Sequence, residues 1–233
     1  LFAVELIRLL NTNMDIVDRI YLLELACAMQ VIRTLTMQSE RAMDGGDSVS
    51  AAGFRLAVSA PDEQRPAIRR LSQQSVKRIE KTIFQSLRGK KVQLPTAADE
   101  RNKVLKEADR RYGGKLFVGL SKRIGLIVPK RGSGARFVLT EQLLRLLVVT
   151  SLPPGGRVTF DSFKDLLEKR HRLVFGSDGM NRANQWLVGQ GIYLPADTDK
   201  WLQEMLEAAG FLIHLSDSCA LVCNPADEGK GDE

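Results

Sequence analysis

The residues best suited to metal chemistry lie together near the end of the chain, in the segment GFLIHLSDSCALVC (residues 210–223). His214, Cys219 and Cys223 form an H-x4-C-x3-C set of the residue types that bind structural zinc. The set is one ligand short of a complete site, and Cys27 would have to arrive from the other end of the chain. If this segment is a strand, its two cysteines lie about 13 Å apart, too far to share one ion. We therefore expect a packed β-hairpin with core-facing cysteines, and no metal or other cofactor.

The remaining motifs that could support catalysis fail on spacing. PKRGSGAR (residues 129–136) lacks the spacing of a phosphate-binding loop and precedes a strand rather than a helix. Asp161, Asp165 and Glu168 have the spacing of a solvated helix face, and no G-x-S-x-G nucleophile elbow occurs. The sequence therefore predicts no catalytic residue and a protein that is not an enzyme.

Positive charge is concentrated in the middle of the chain. Residues 65–136 contain 20 Lys and Arg against 5 Asp and Glu, although the whole chain has a net charge of only +6. A block of this size favours an anionic partner such as a nucleic acid backbone, and the alternative is a set of solvated helix faces. The residues predicted to contact nucleic acid are Arg69, Arg70, Lys77, Arg78, Lys81, Lys122, Arg123, Lys130, Arg131 and Arg136.

A helix and a small sheet are predicted to position these cations. The helix begins at Pro66 or Ser72 and ends near Arg88, with an apolar stripe of Ile68, Leu71, Ser75, Ile79, Ile83 and Leu87 facing away from the cations. A second helix is predicted from the N-cap Thr96 to Gly113. Strands are expected at 115–119, 123–128 and 135–139. Their turns would place Lys122, Arg123, Lys130, Arg131 and Arg136 at exposed tips.

The N-terminal region is predicted to be helical. Asn13 or Asp15 is a suitable cap for a second helix of about 28 residues, a length that suggests a dimerisation helix as much as a core helix. We expect any homo-oligomer to form through this helix. A loop at 44–53 and a short strand at 54–58 follow.

From Thr140 onward the order of predicted elements is helix, strand, helix, helix and hairpin. The helices are capped by Thr140, by Asp161, and by Asp197 or Thr198, with a loop or short helix around 178–190. This order resembles the winged helix-turn-helix superfamily over about residues 140–224. The resemblance implies that the third helix enters the DNA major groove.

The charge of that third helix conflicts with DNA reading. Asp197, Asp199, Glu204 and Glu207 stand against Lys200 alone, so phosphates would repel it. Asp217 lies at the hairpin tip, where a wing that grips DNA carries Lys or Arg. The C-terminal part is therefore expected to bind protein, unless the preceding GSDGMNRANQ contacts DNA.

Together these patterns predict an α+β, mainly α fold. Its parts are an N-terminal helical region (1–60), a basic region of helices and a small β-sheet (61–139), a winged-helix-like domain (140–225) and a disordered tail (226–233). Three cysteines indicate a reducing compartment, so we expect a cytoplasmic protein, and we expect no membrane-spanning segment or membrane partner.

The predicted function is that of a non-enzymatic accessory or regulatory subunit of a prokaryotic multi-protein system. It would bind nucleic acid, DNA in the first place, through the backbone, and would contact other protein subunits. PPGGRVTFDSF and LSDSCALVCNP resemble accessory proteins of prokaryotic antiviral-defence and mobile-element operons. The alternative is a protein–protein scaffold or dimerisation subunit with no direct DNA contact, and a small enzyme is the least favoured.

Overall fold

The computed structural model describes residues 1–43, 53–89, 92–195, 197–216 and 219–225. The chain is 61% helical with a few small sheets, which confirms the mainly α, α+β fold. The α-helices are α1 (Phe2–Leu10), α2 (Ile16–Met43), α3 (Pro66–Ser86), α4 (Ala98–Ala108), α5 (Leu120–Arg123), α6 (Glu141–Ser151), α7 (Phe160–His171), α8 (Gly176–Val188) and α9 (Lys200–Ala208). The strands are β1 (Leu56–Ala57), β2 (Ile127–Val128), β3 (Arg136–Phe137), β4 (Arg157–Thr159), β5 (Leu173–Val174), β6 (Leu212–Ser216) and β7 (Cys219–Cys223).

Helix α2 begins at one of its predicted start signals. Asp15 Oδ1 accepts a hydrogen bond from the Val17 backbone N–H at 2.8 Å, and α2 then runs for 28 residues. Its buried side is formed by Leu22, Leu25, Ala26, Ala28 and Ile32.

A long helical segment replaces one of the predicted strands and shortens another. A π-helical segment (Asp109–Gly119) follows α4 directly and leads into α5, so the predictions of a helix end at Gly113 and a strand at 115–119 are wrong. The strand predicted at 123–128 is reduced to β2. Gly113 is buried against the Phe84 ring, which fills the space where a side chain would stand, so this glycine serves packing rather than termination.

Short strands join distant parts of the chain. β1 pairs with β5 in parallel, which confirms a strand within 54–58 and ties it to a segment more than 100 residues later. β2 and β3 form an antiparallel pair, so part of the strand predicted at 135–139 is present. The β1–β5 pairing thus joins the N-terminal region to the C-terminal part of the chain.

The C-terminal part contains a three-stranded antiparallel sheet in the order β4-β7-β6. The predicted hairpin is present as β6 and β7, and α8 occupies the region predicted as a loop or short helix. Thr140 caps α6 as expected, since its side chain accepts from the Leu143 N–H. For α7, Thr159 rather than Asp161 is the cap, accepting from the Ser162 N–H.

A single hydrophobic cluster extends from Leu9 to Val222 and includes side chains of the three predicted regions. The division of the chain at 60 and 139 stays a prediction, but these regions share a core. Asp217 at the hairpin tip, most of the 44–53 loop and the 226–233 tail lie outside the described residues.

Candidate nucleic-acid interface

Helix α3 presents most of its predicted cations to solvent. Its buried side consists of Ile68, Leu71, Ser72, Ser75, Val76, Ile79, Ile83 and Ser86, in agreement with the predicted stripe, except that Leu87 is half-buried. The predicted cations on the opposite side are all exposed: Arg69, Arg70, Lys77, Arg78 and Lys81. The 3.6-residue period thus separates a core face from a cationic face on one helix.

The five cations of α3 are arranged along the helix axis. At about 100° per residue, Arg70, Lys77 and Lys81 lie within about 40° of one another around the helix axis. Arg69 and Arg78 lie roughly 80–100° away from Arg70, on opposite sides of it. From Arg69 to Lys81 the helix rises about 18 Å at 1.5 Å per residue. One strand of B-DNA advances about 3.4 Å per phosphate along its axis, so this face spans roughly five phosphates.

These cations have no acidic partner in the part of the chain that the structure describes. None of the five forms an ion pair with a carboxylate among the described residues. By contrast, Arg88, two residues after the end of α3, donates two hydrogen bonds to Asp109, at 2.7 and 2.6 Å. Arg65 is likewise paired, with Glu63 at 2.9 Å. The charge on the outer face of α3 is therefore available to an external anion.

The loop between β2 and β3 adjoins this face. Gln73, one turn from both Arg69 and Lys77, donates from Nε2 to the Gly134 carbonyl at 3.4 Å. Lys130 and Arg131, in the same loop, are exposed. We call the seven exposed cations Arg69, Arg70, Lys77, Arg78, Lys81, Lys130 and Arg131 the basic surface.

Arg136 does not belong to the basic surface. The prediction that it lies at an exposed tip is wrong, because only 8% of the residue is exposed. Its guanidinium donates to Ser59 Oγ at 2.7 Å, the Ala60 carbonyl at 2.8 Å and the Pro61 carbonyl at 2.6 Å. Burial, and then the neighbouring Arg69, lower its pKa. Arg136 therefore holds the segment that precedes α3 in place.

Lys122 and Arg123 lie in α5 rather than in a turn between strands, so that part of the prediction is also wrong. Lys122 is half-buried and Arg123 is exposed. Two cations in the last turn complement the helix dipole, which gives them a structural reason to be there. No described contact joins them to the basic surface.

Helix α4 supplies cations that the sequence reasoning did not select. Arg101, Lys103 and Lys106 are exposed, and no residue of α4 is buried. The signal was present in the overall charge of residues 65–136, but an exposed helix gives no apolar stripe that would orient its charged side chains.

A polar cleft of about 650 Å³ lies between the N-terminal ends of α7 and α8 and the C-terminal sheet. Lys164 Nζ pairs there with Asp161 at 2.9 Å and Asp199 at 2.5 Å. Burial opposes the charge on Lys164, but the hydrogen bonds to Asp199 and Asp161 outweigh it and raise its pKa. Arg182, which also lines the cleft, pairs with Glu168 at 2.5 Å. Lys164 and Arg182 therefore both have acidic partners within the protein.

His214 and Cys219 line the same cleft, and Cys223 is buried beyond it. Within the described ranges, no three His, Cys, Asp or Glu residues come close enough to hold a metal ion. The expectation of core-facing cysteines is met by Cys223, whereas Cys219 is half-buried.

Helix α2 is long and apolar enough to span a membrane, with a mean hydropathy of 1.3 over its most apolar stretch. Only 28% of that stretch is buried. This indication comes from length and composition alone, and core helices and N-terminal signal sequences meet the same criteria. The absence of a membrane-spanning segment therefore stays a prediction.

No protein-family model, curated protein or solved structure matches the chain.

Proposed function

We propose that the protein is a non-enzymatic, cytoplasmic accessory or regulatory subunit of a prokaryotic multi-protein system that binds nucleic acid through the basic surface. The supporting observation is the row of exposed cations along α3 and the adjoining loop that have no carboxylate partner among the described residues. Elsewhere on the chain, arginines such as Arg33, Arg55 and Arg88 pair with acids. Unpaired cations at this density favour a polyanion.

The proposed contacts are to the backbone. Lys and Arg side chains spread along the outer face of a helix can reach phosphates but do not read base edges. We therefore expect weak sequence preference and a strong dependence on salt, with DNA as the first candidate.

The C-terminal part is proposed to be a winged-helix-like module that contacts protein. The antiparallel order β4-β7-β6, with α6 and α7 on either side of β4 and α9 before β6, supports this assignment; the additional helix α8 is a departure from it. Helix α9 with its first turn carries Asp199, Glu204 and Glu207 against Lys200, so it is a poor element for the DNA groove.

The alternative is a scaffold subunit whose basic surface docks on an acidic protein. The exposed apolar residues of α1 and α2 favour contacts between proteins and are compatible with either function.

Fluorescence anisotropy with labelled duplex DNA, single-stranded DNA and RNA between 50 and 200 mM salt tests the proposal. If the seven cations each neutralise a phosphate, the logarithm of the affinity should fall with the logarithm of salt at a slope of about −6, or roughly 10⁴-fold over this range. The triple variant Lys77→Gln/Arg78→Gln/Lys81→Gln should reduce the slope by about 3.

The matched control is Arg157→Gln/Lys169→Gln/Lys200→Gln, which removes the same charge from exposed positions outside the basic surface. It should leave the slope close to that of the wild type. Absence of binding at 50 mM salt, or equal losses in the two triple variants, would contradict the proposal. Binding to polyglutamate but to no nucleic acid would favour the scaffold alternative.

A further inference from the structure

Helices α1 and α2 leave an unusual amount of apolar surface uncovered. The large apolar residues exposed within residues 1–31 are Leu1, Val4, Ile7, Leu10, Ile16, Val17, Ile20, Tyr21 and Val31. Their exposed fractions add up to about five whole side chains. Exposed apolar patches of several hundred Å² mark interaction sites in soluble proteins.

Four exposed residues of α2 form one stripe. Ile16, Ile20, Cys27 and Val31 lie within about 60° of one another around the helix axis at about 100° per residue. Ile16 is 66% exposed, Ile20 61% and Val31 43%, and Cys27 is also exposed. The opposite side of the same helix is buried in the core. We call these four residues the α2 stripe.

The α2 stripe has the same spacing in both directions along the chain. The steps between its members are four, seven and four residues, so the stripe is symmetric about the point midway between Leu23 and Glu24. In a two-fold symmetric interface, residue i contacts residue j and j contacts i. A two-fold axis through the midpoint places Ile16 opposite Val31 of the second copy and Ile20 opposite Cys27.

We propose that a second copy of this chain covers this face, through antiparallel pairing of α2 with α2 about that axis. The pairing goes beyond the nucleic-acid function and does not depend on it.

The helix dipoles favour the antiparallel orientation, because each end of one helix then lies beside the oppositely charged end of the other. Asp18 takes no part in the pairing, since it lies on the side of α2 away from the stripe and pairs with Arg145 at 3.4 Å.

The α2 stripe alone is smaller than a stable dimer requires, so the interface must also include the other exposed apolar residues of α1 and α2. At about 100 Å² per fully exposed apolar side chain, α1 and α2 together offer roughly 500 Å². A standard interface buries about 800 Å² per partner, and homodimer interfaces are about 65% apolar, which corresponds to roughly 520 Å².

A lipid surface fits this face less well. Helices that lie on membranes carry Lys and Arg beside the apolar face, because lipid headgroups are anionic. The first 31 residues contain no lysine, and their two arginines, Arg8 and Arg19, donate to backbone carbonyls of Thr150, Ser151, Thr12 and Met14. The exposed charges here are the acids Asp15, Asp18 and Glu24.

Disulfide trapping tests the register of the pair. In a background with Cys219→Ser and Cys223→Ala, the variant Ile20→Cys should form intermolecular disulfides with Cys27 on mild oxidation, because the two positions face each other. The two Cys27 residues are offset by about 10 Å along the helix axes, beyond the 4.4–6.8 Å Cα separation of a disulfide. The background alone should therefore stay uncross-linked, and so should the control variant Ile16→Cys.

Sedimentation velocity tests the association itself. The wild type should have about twice the 25.9 kDa chain mass, and Ile20→Glu/Val31→Glu should have the single-chain mass with an unchanged circular dichroism spectrum. The control Val188→Glu/Leu215→Glu changes apolar residues that are 56% and 60% exposed elsewhere and should remain a dimer.

Three results would overturn the proposal. The first is a wild type that has the single-chain mass at all concentrations. The second is cross-linking through Cys27 alone or through Ile16→Cys. The third is a monomer that sediments with phosphatidylglycerol vesicles and loses this binding in Ile20→Glu/Val31→Glu, which would assign the face to a membrane.

Discussion

His171 makes the stability of the protein depend on pH. It is the last residue of α7, only 8% exposed, and packs between α1 and α2. Arg33 Nη1 donates to its Nδ1 at 3.4 Å, so that nitrogen must be unprotonated and the proton of the neutral ring is on Nε2. Nε2 has no hydrogen-bond partner within the described structure, and Glu5 Oε1 lies 3.8 Å from it.

Charging this ring is unfavourable in the folded protein. Desolvation lowers the pKa of His171 from 6.5 to about 4; Glu5 opposes this shift, and Arg33 and Arg170 add to it. A second proton on Nδ1 would also face the Arg33 guanidinium, which is itself held by both oxygens of Glu5 at 3.0 and 3.1 Å. The neutral ring is therefore part of the folded structure.

The sign and size of the effect follow from linkage. Between pH 6.5 and 4 the unfolded chain binds a proton at this histidine and the folded chain does not, so stability is complete above about pH 6.5 and falls as the pH approaches 4. At 1.36 kcal/mol per unit, a shift to about 4 corresponds to roughly 3 kcal/mol. This is a large part of the 5–15 kcal/mol by which a typical domain is stable.

Urea unfolding at a series of pH values from 7.5 to 4 measures this contribution. His171→Gln should lose about 3 kcal/mol less than the wild type across that range, whatever its stability at pH 7.5, because the amide does not titrate. His214→Gln, on the exposed strand β6, is the matched control for removing a histidine. Parallel curves for the wild type and His171→Gln would refute the reasoning.

Two further substitutions test the packing that positions the basic surface. Gly113→Ala should lower the free energy of unfolding by about 1–3 kcal/mol, because the added methyl overlaps the Phe84 ring. Its control Gly114→Ala, exposed in the same helical segment, should be neutral or slightly stabilising. Urea unfolding measures both variants, and equal effects would contradict the packing role of Gly113. Arg136→Met should lower the free energy of unfolding by about 3 kcal/mol, because the acceptors of residues 59–61 lose their donor. At temperatures where the variant stays folded, the salt dependence of nucleic-acid binding should not change. A reduced slope in anisotropy titrations would show that Arg136 contacts nucleic acid.

Local patterns were sufficient where neighbouring residues determine the structure. The apolar period of α3 separated its core from its cations, and the carboxylate of Asp15 and the hydroxyl of Thr140 marked helix starts. In each case the interacting groups are within a few residues, so the spacing alone contains the geometry.

The same reasoning failed where an apolar run fits two kinds of element. Residues 115–119, KLFVG, suit a strand or a helix that is buried on one side, and periodicity does not separate the two over five residues. Contacts with residues distant in sequence decide between helix and strand here. The Phe117 ring is buried with its centre 6.4 Å from that of Phe137, and the Phe84 ring packs against Gly113.

The sequence by itself determined the mainly helical fold, the cationic outer face of α3 and the shortage of metal ligands, because these depend on composition and short-range spacing. Only the tertiary structure decided that Arg136 is buried, that His171 is held neutral, and that Ile16 and Ile20 remain exposed rather than entering the core. Each of these outcomes depends on a contact, or the lack of one, between segments that are distant along the chain. Burial and charge pairing are properties of the packed molecule, so side chains of one chemical type, such as Arg78 and Arg136, end in opposite environments.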